Sequence, residues 1–211
     1  MKRLNPAKTA RLWLRVAQWV LASVGVLALG YWAAIFVSAR LFQTREAHDF
    51  ARELQAEVNH DTTASRSAAV KESDEQPPRE GAVIAELGVP RLGLSTMVVE
   101  GVGDSDLKLA AGHIPGTALP GKSGNIGIAG HRDTFFRPLR FIRKDDMIAL
   151  TTLRGTSRFR VVSTKIVGPD DVRVLYPTGR DVLTLVTCYP FDFVGSAPRR
   201  FIVRAERSEG S

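Results

Sequence analysis

Between Val16 and Ala39 the chain reads VAQWVLASVGVLALGYWAAIFVSA, 24 residues without a charge. At 1.5 Å per residue a helix over this run extends roughly 36 Å, enough to cross the hydrocarbon core of a bilayer with some tilt. A transmembrane helix is therefore expected over 16–39. A cleaved signal peptide fits less well, because the run is about twice the length of a signal h-region and a helical pattern continues beyond it.

Charge sets the orientation. Lys2, Arg3, Lys8, Arg11 and Arg15 precede the run with no acid among them, whereas Arg40 to Glu80 carries six bases against nine acids. The positive-inside rule then puts residues 1–15 in the cytoplasm and everything after Arg40 outside it, a single-pass topology at the cell membrane. The net charge of +7 is spread over these regions and does not form one basic surface, which argues against a nucleic-acid partner.

Residues 40–80 read as a stalk helix followed by a flexible linker. From Leu41 to Val58 apolar residues recur at Ala47, Phe50, Ala51, Leu54 and Val58, the spacing of an amphipathic helix. Asn59 to Glu80 is polar and closes on Pro77-Pro78, a composition that buries no core and should act as a mobile tether. Folding of the C-terminal domain, 81–211, is expected to begin near Gly81. Its length suits one domain, and eight short apolar runs follow one another: VIAELGV, TMVVEG, NIGIAG, DMIAL, RFRVVSTKIV, VRVL, VLTLVTC and RFIVRAE. Gly, Pro, Asp and Asn turns separate them, so an all-β barrel or sandwich is expected, with helices only at Asp104–Ala111 and Thr134–Ile142.

The chain holds one cysteine, Cys188, in TLVTCYPF. An exported domain with one thiol has no intrachain disulfide to make. Taken singly, Cys188 reads equally well as a small apolar core residue. Its context says more. Alternation puts Val182, Thr184, Val186 and Cys188 on one strand face and Leu183, Leu185 and Thr187 on the other, and Pro190 closes the strand. Arg200 opens the next strand, RFIVRAE, and pairing of these neighbours would bring thiol and guanidinium together. NIGIAG ends in the same way at His131.

Three strand ends thus present His131, Cys188 and Arg200, the parts of a cysteine acyl-transfer site: nucleophile, proton carrier and oxyanion donor. Singly, His131 also reads as a loop histidine and Arg200 as a surface charge. The four histidines, His48, His60, His113 and His131, and the one cysteine show no metal-ligand spacing, and no metal or cofactor is expected.

GHIPGTALPG (112–121), GNIGIAGHRDTFFRPL (124–139), TLVTCYPF (184–191) and GSAPRRFIVRA (195–205) together resemble the sortases, most closely class D, over about Val83 to Ala205. The resemblance implies an eight-stranded sortase β-barrel with short helices and a cysteine transpeptidase needing no cofactor. By position, Cys188 would be the nucleophile, His131 the general acid/base, and Arg200, ahead of Phe201-Ile202-Val203, the substrate or oxyanion holder in preference to Arg199. His113 and Thr187 would support the site. Asp133 would either orient His131 or cap the helix TFFRPLRFI. Implied partners are exported proteins carrying an LPxTG-like C-terminal sorting signal and an amine acceptor on the cell envelope. The alternatives are an exported L,D-transpeptidase or papain-like cysteine peptidase, whose motif and residue order differ from these, and a membrane-anchored binding domain.

Overall fold

In the computed structural model, which describes residues 6–59, 77–193 and 195–208, alternating burial builds eight strands. They are β1 Val83–Val89, β2 Leu94–Glu100, β3 Ala111–His113, β4 Asn125–Gly130, β5 Met147–Thr152, β6 Gly155–Val167, β7 Val182–Tyr189 and β8 Arg199–Arg207. They close into a barrel in the order β1-β2-β3-β4-β7-β8-β6-β5. In β1 the inward residues are Ala85, Leu87 and Val89, in β5 Ile148 and Leu150, and all five are fully buried. This period of two is what lets one face of each strand line a common core while the other meets solvent or loops.

Seven of the eight expected runs are strands. The eighth, VRVL, is a 3-10 turn, Val172–Leu175, because side chains claim its backbone. The Asn125 amide donates to the carbonyls of Val174 and Tyr176, both at 3.1 Å, and Arg173 Nε donates to Asp171 Oδ1 at 2.8 Å. The eighth strand is β3, three residues between β2 (parallel) and β4 (antiparallel). It escapes a periodicity search because AGH is too short to show a period. Gly112 is needed there, since a Cβ at that position would stand 2.2 Å from the Gly101 carbonyl oxygen.

Helix is scarce in the barrel, as expected. A six-residue helix, α2, spans Asp104–Leu109. The expected helix at 134–142 shrinks to a 3-10 turn, Arg137–Phe141, with Pro138 in its first turn. Its N-cap is Phe136 with no side-chain cap bond, so Asp133 does not cap it.

The long N-terminal helix α1, Pro6–Asn59, is shared by two compact units that divide after Leu41. In the first unit Trp19, Leu21, Leu27 and Leu29 are exposed. Among the described residues no helix is long and apolar enough to cross a membrane. Within the expected span, the side chains at 16, 17, 32, 35, 36 and 39 lie outside the described set.

In the second unit, the part of α1 expected to be a stalk packs on the barrel. Phe50 is buried with Met97, Val99 and Ala110, and Phe42 and Val83 lie against this cluster. The Gln43 amide bridges β2 and α2, donating to the Leu109 carbonyl at 2.7 Å and accepting from the Met97 N–H at 2.8 Å. Phe42, Gln43 and Phe50 lie two turns apart on one helix face. Ala47 is exposed, while the side chains of Ala51, Leu54 and Val58 lie outside the described residues, as do linker residues 60–76. Replacing Phe50 by alanine should lower the melting temperature of the detergent-solubilised chain by roughly 6–12 °C, the equivalent of about 3 kcal/mol. A shift below about 2 °C would show that the helix contributes no fold stability.

Candidate active site

The site is set by the register of three strands. β4 and β7 run parallel, paired from Asn125 with Val182 to Gly130 with Thr187. Asp181 locks the start of this ladder: its Oδ1 accepts the Gly124 N–H at 3.0 Å and its Oδ2 pairs with Arg207 at 3.0 Å. The Gly124 amide, with Arg207 second, holds the Asp181 carboxyl below the ordinary carboxylate range. This tie therefore stabilises the fold fully above the unfolded carboxylate value of about 4 and is lost on further acidification through the depressed folded value.

At the other end of the ladder the Thr187 hydroxyl donates to the Gly130 carbonyl at 2.6 Å. Thr187 is buried and faces inward with Leu183 and Leu185, so it stitches β4 to β7 directly beneath the candidate residues. His131 is the first residue after β4, and Cys188 follows the last paired residue of the ladder on β7. The turn that follows His131 is fixed by packing. Phe136 is fully buried, and its ring lies so close under Gly130 that a Cβ there would stand 2.8 Å from it. The Phe136 N–H returns to the His131 carbonyl at 3.1 Å.

β7 and β8 are antiparallel neighbours, and Cys188 is the register partner of Arg200. Arg199 is paired with Tyr189 and is exposed, whereas Arg200 and Cys188 are half-buried. Arg200 Nη1 donates to the carbonyls of Ala197 (3.2 Å) and Arg199 (3.1 Å), which folds the guanidinium over the strand end. An aromatic cluster braces this end: Phe191 meets Phe201 edge-on at 5.3 Å between ring centroids, and Tyr189 stacks on Phe201 at 6.3 Å. The structure thus brings His131, Cys188 and Arg200 to adjoining strand ends. The cysteine is unpaired.

The other expected residues fare differently. His113, the register partner of Glu100 on β2, is buried and held at both ring nitrogens. Nδ1 donates to Glu100 Oε2 at 2.8 Å, and Nε2 lies 3.0 Å from both the Ala118 carbonyl and Thr117 Oγ1. Thr117 in turn donates to the Ile114 carbonyl at 2.7 Å and accepts the Gly127 N–H at 3.0 Å. His113 is therefore a strut that fastens residues 114–118 over the outer face of β4. Asp133 is exposed and makes no hydrogen bond or ion pair among the described residues. No group of three or more His, Cys, Asp or Glu side chains that could hold a metal converges among the described residues.

Two participants were not read from the sequence. Glu100 ends β2 as an ordinary exposed-looking acid, and only the parallel pairing with β3 puts it against His113. Arg132 follows His131, and its guanidinium Nη2 donates to the carbonyls of Phe193 (2.6 Å) and Gly195 (2.9 Å) in the β7–β8 loop, residues 190–198. A charged residue beside the histidine in AGHRD was the only available signal.

A thiol, an imidazole and a guanidinium at one rim can carry out nucleophilic acyl transfer: attack on a carbonyl, proton delivery to the leaving group and stabilisation of the oxyanion. Comparison with known proteins points the same way. The sortase domain family matches residues 87–208. Sortase D of Bacillus subtilis is 30% identical over 196 residues, covering 92% of this chain and 98% of that protein. The sortase D5 transpeptidase of Clostridium perfringens superposes with a TM-score of 0.66 at 24% identity, over 82% of this chain and 99% of that one. Sortase C of the same organism, solved with the C-terminal cell wall sorting motif, gives a TM-score of 0.66 at 22% identity, over 79% and 99% of the two chains.

Proposed function

The chain belongs to the sortase family of cysteine transpeptidases, and from that premise we propose that it is a membrane-anchored sortase cutting LPxTG-like C-terminal sorting signals with Cys188, His131 and Arg200. In the first half-reaction the Cys188 sulfur attacks the carbonyl of the signal's threonine. The C–N bond to the next residue breaks, and His131 delivers a proton to the departing amine. Arg200 donates to the substrate carbonyl or its oxyanion. In the second half-reaction an envelope amine attacks the thioester, His131 removes its proton and Cys188 leaves.

The observation that carries this reading is the register that ends β4 at Gly130 beside Thr187 and pairs Cys188 with Arg200. A sorting signal as donor is supported by the likeness to the Clostridium perfringens sortase C solved with such a motif. Anchoring is supported by the uncharged run 16–39, by the five bases ahead of it and by the exposed Trp19, Leu21, Leu27 and Leu29. The active domain then lies outside the cell, and substrates held by their own hydrophobic tails meet it in two dimensions at raised effective concentration.

The test is incubation of the full chain, in detergent micelles, with a library of C-terminal signal peptides. A covalent acyl adduct on Cys188, read by intact mass, is expected, and its mass names the recognised motif. No adduct with any peptide, while a small alkylating agent labels the thiol, would favour a binding domain instead.

A further inference from the structure

The β4–β7 ladder stops at Gly130 and Thr187, one residue short of both His131 and Cys188. Beyond that point the histidine turn is tied to the cysteine strand by side chains. Arg132 Nη2 reaches the carbonyls of Phe193 and Gly195, and its guanidinium lies 5.9 Å from the centroid of the Phe193 ring. Arg140, later in the same turn, pairs with Asp192 at 3.6 Å across exposed surface, a weaker link. The loop they grip runs between Cys188 and Arg200.

The Arg132 guanidinium is not placed for its own solvation. Nη1 is buried with no hydrogen-bond partner among the described residues, a costly arrangement for a charged donor. The charge-assisted bonds of Nη2 to the two loop carbonyls hold it there. We propose that Arg132 is a positioning residue: by fastening the β7–β8 loop to the histidine turn it fixes Cys188 and Arg200 relative to His131. This rests on the assignment of those three residues above.

The lone thiol lets the test be read by mass. Single-turnover acylation of Cys188 by a Leu-Pro-Glu-Thr-Gly peptide is followed by intact mass in the full chain, in Arg132→Ala, Arg132→Lys and His131→Ala, with melting temperatures and iodoacetamide labelling alongside. Arg132→Ala should slow acylation by about tenfold or more, towards the rate of His131→Ala. Arg132→Lys, whose ammonium can donate to both carbonyls, should recover part of it. A merely structural role would lower the melting temperature and leave the acylation rate of the folded protein in place. If Arg132→Ala matches wild type while His131→Ala does not, the inference falls and the site assignment stands. If His131→Ala also matches wild type, His131 moves no proton in acylation and both fall.

Discussion

Alanine at position 188 is expected to leave the barrel folded and to reduce cleavage of a quenched Leu-Pro-Glu-Thr-Gly peptide by roughly 10⁴-fold or more. The size follows from the kind of group removed. In the proposed mechanism no thioester forms without sulfur, and His131 and Arg200 would be left to assist direct attack by water, which binding and oxyanion contacts speed far less. The fold should tolerate the change, because Cys188 is half-buried on the face opposite the core residues Leu183 and Leu185. A loss below about 1 kcal/mol, or a melting shift of roughly 2–4 °C, is expected. Steady-state cleavage and a thermal melt on the same sample separate the two effects. Turnover within tenfold of wild type would remove Cys188 from the chemistry and with it the proposed mechanism.

The legible part of this fold was the part with a period. Runs such as VIAELGV and VLTLVTC alternate or saturate with apolar residues, and they became β1 and β7. Where side chains override the local pattern, periodicity misleads. VRVL has strand composition, but the Asn125 amide takes the carbonyls of Val174 and Tyr176 and bends the segment into a turn. AGH has no pattern at all, and it is a strand because two longer strands flank it and Gly112 lets Gly101 approach.

The candidate site was legible for a related reason. Cys188, His131 and Arg200 each stand at the end of a readable strand, so predicting the strands placed the ends. Whether those ends meet is a question of register, settled by Asp181 at one end of the β4–β7 ladder and Thr187 at the other. Contacts between distant segments left no such trace. Nothing in AGHRD shows that Arg132 reaches carbonyls more than 60 residues away, and nothing in the amphipathic pattern of α1 shows that Phe50 rests on Met97 and Val99.

His131→Ala is expected to lower kcat for the same peptide by roughly 10²–10⁴-fold with KM nearly unchanged. The turn does not depend on the imidazole. It is held by Phe136 under Gly130 and by the Phe136 N–H on the His131 carbonyl, and alanine keeps both. The ring itself makes no hydrogen bond among the described residues, so its removal strands no buried partner and the melting temperature should hold. In the proposed mechanism what is lost is the group that carries the proton to the departing amine and takes it from the incoming one. Both half-reactions should therefore slow, so single-turnover acylation falls together with transfer to an amine acceptor. The thiol remains, and added imidazole should restore part of the rate by carrying the proton from solution. Acylation within threefold of wild type, with no response to imidazole, would mean that another group moves the proton. Of the other histidines with described side chains there is only His113, which is clamped between Glu100, Thr117 and the Ala118 carbonyl and has no free nitrogen to offer.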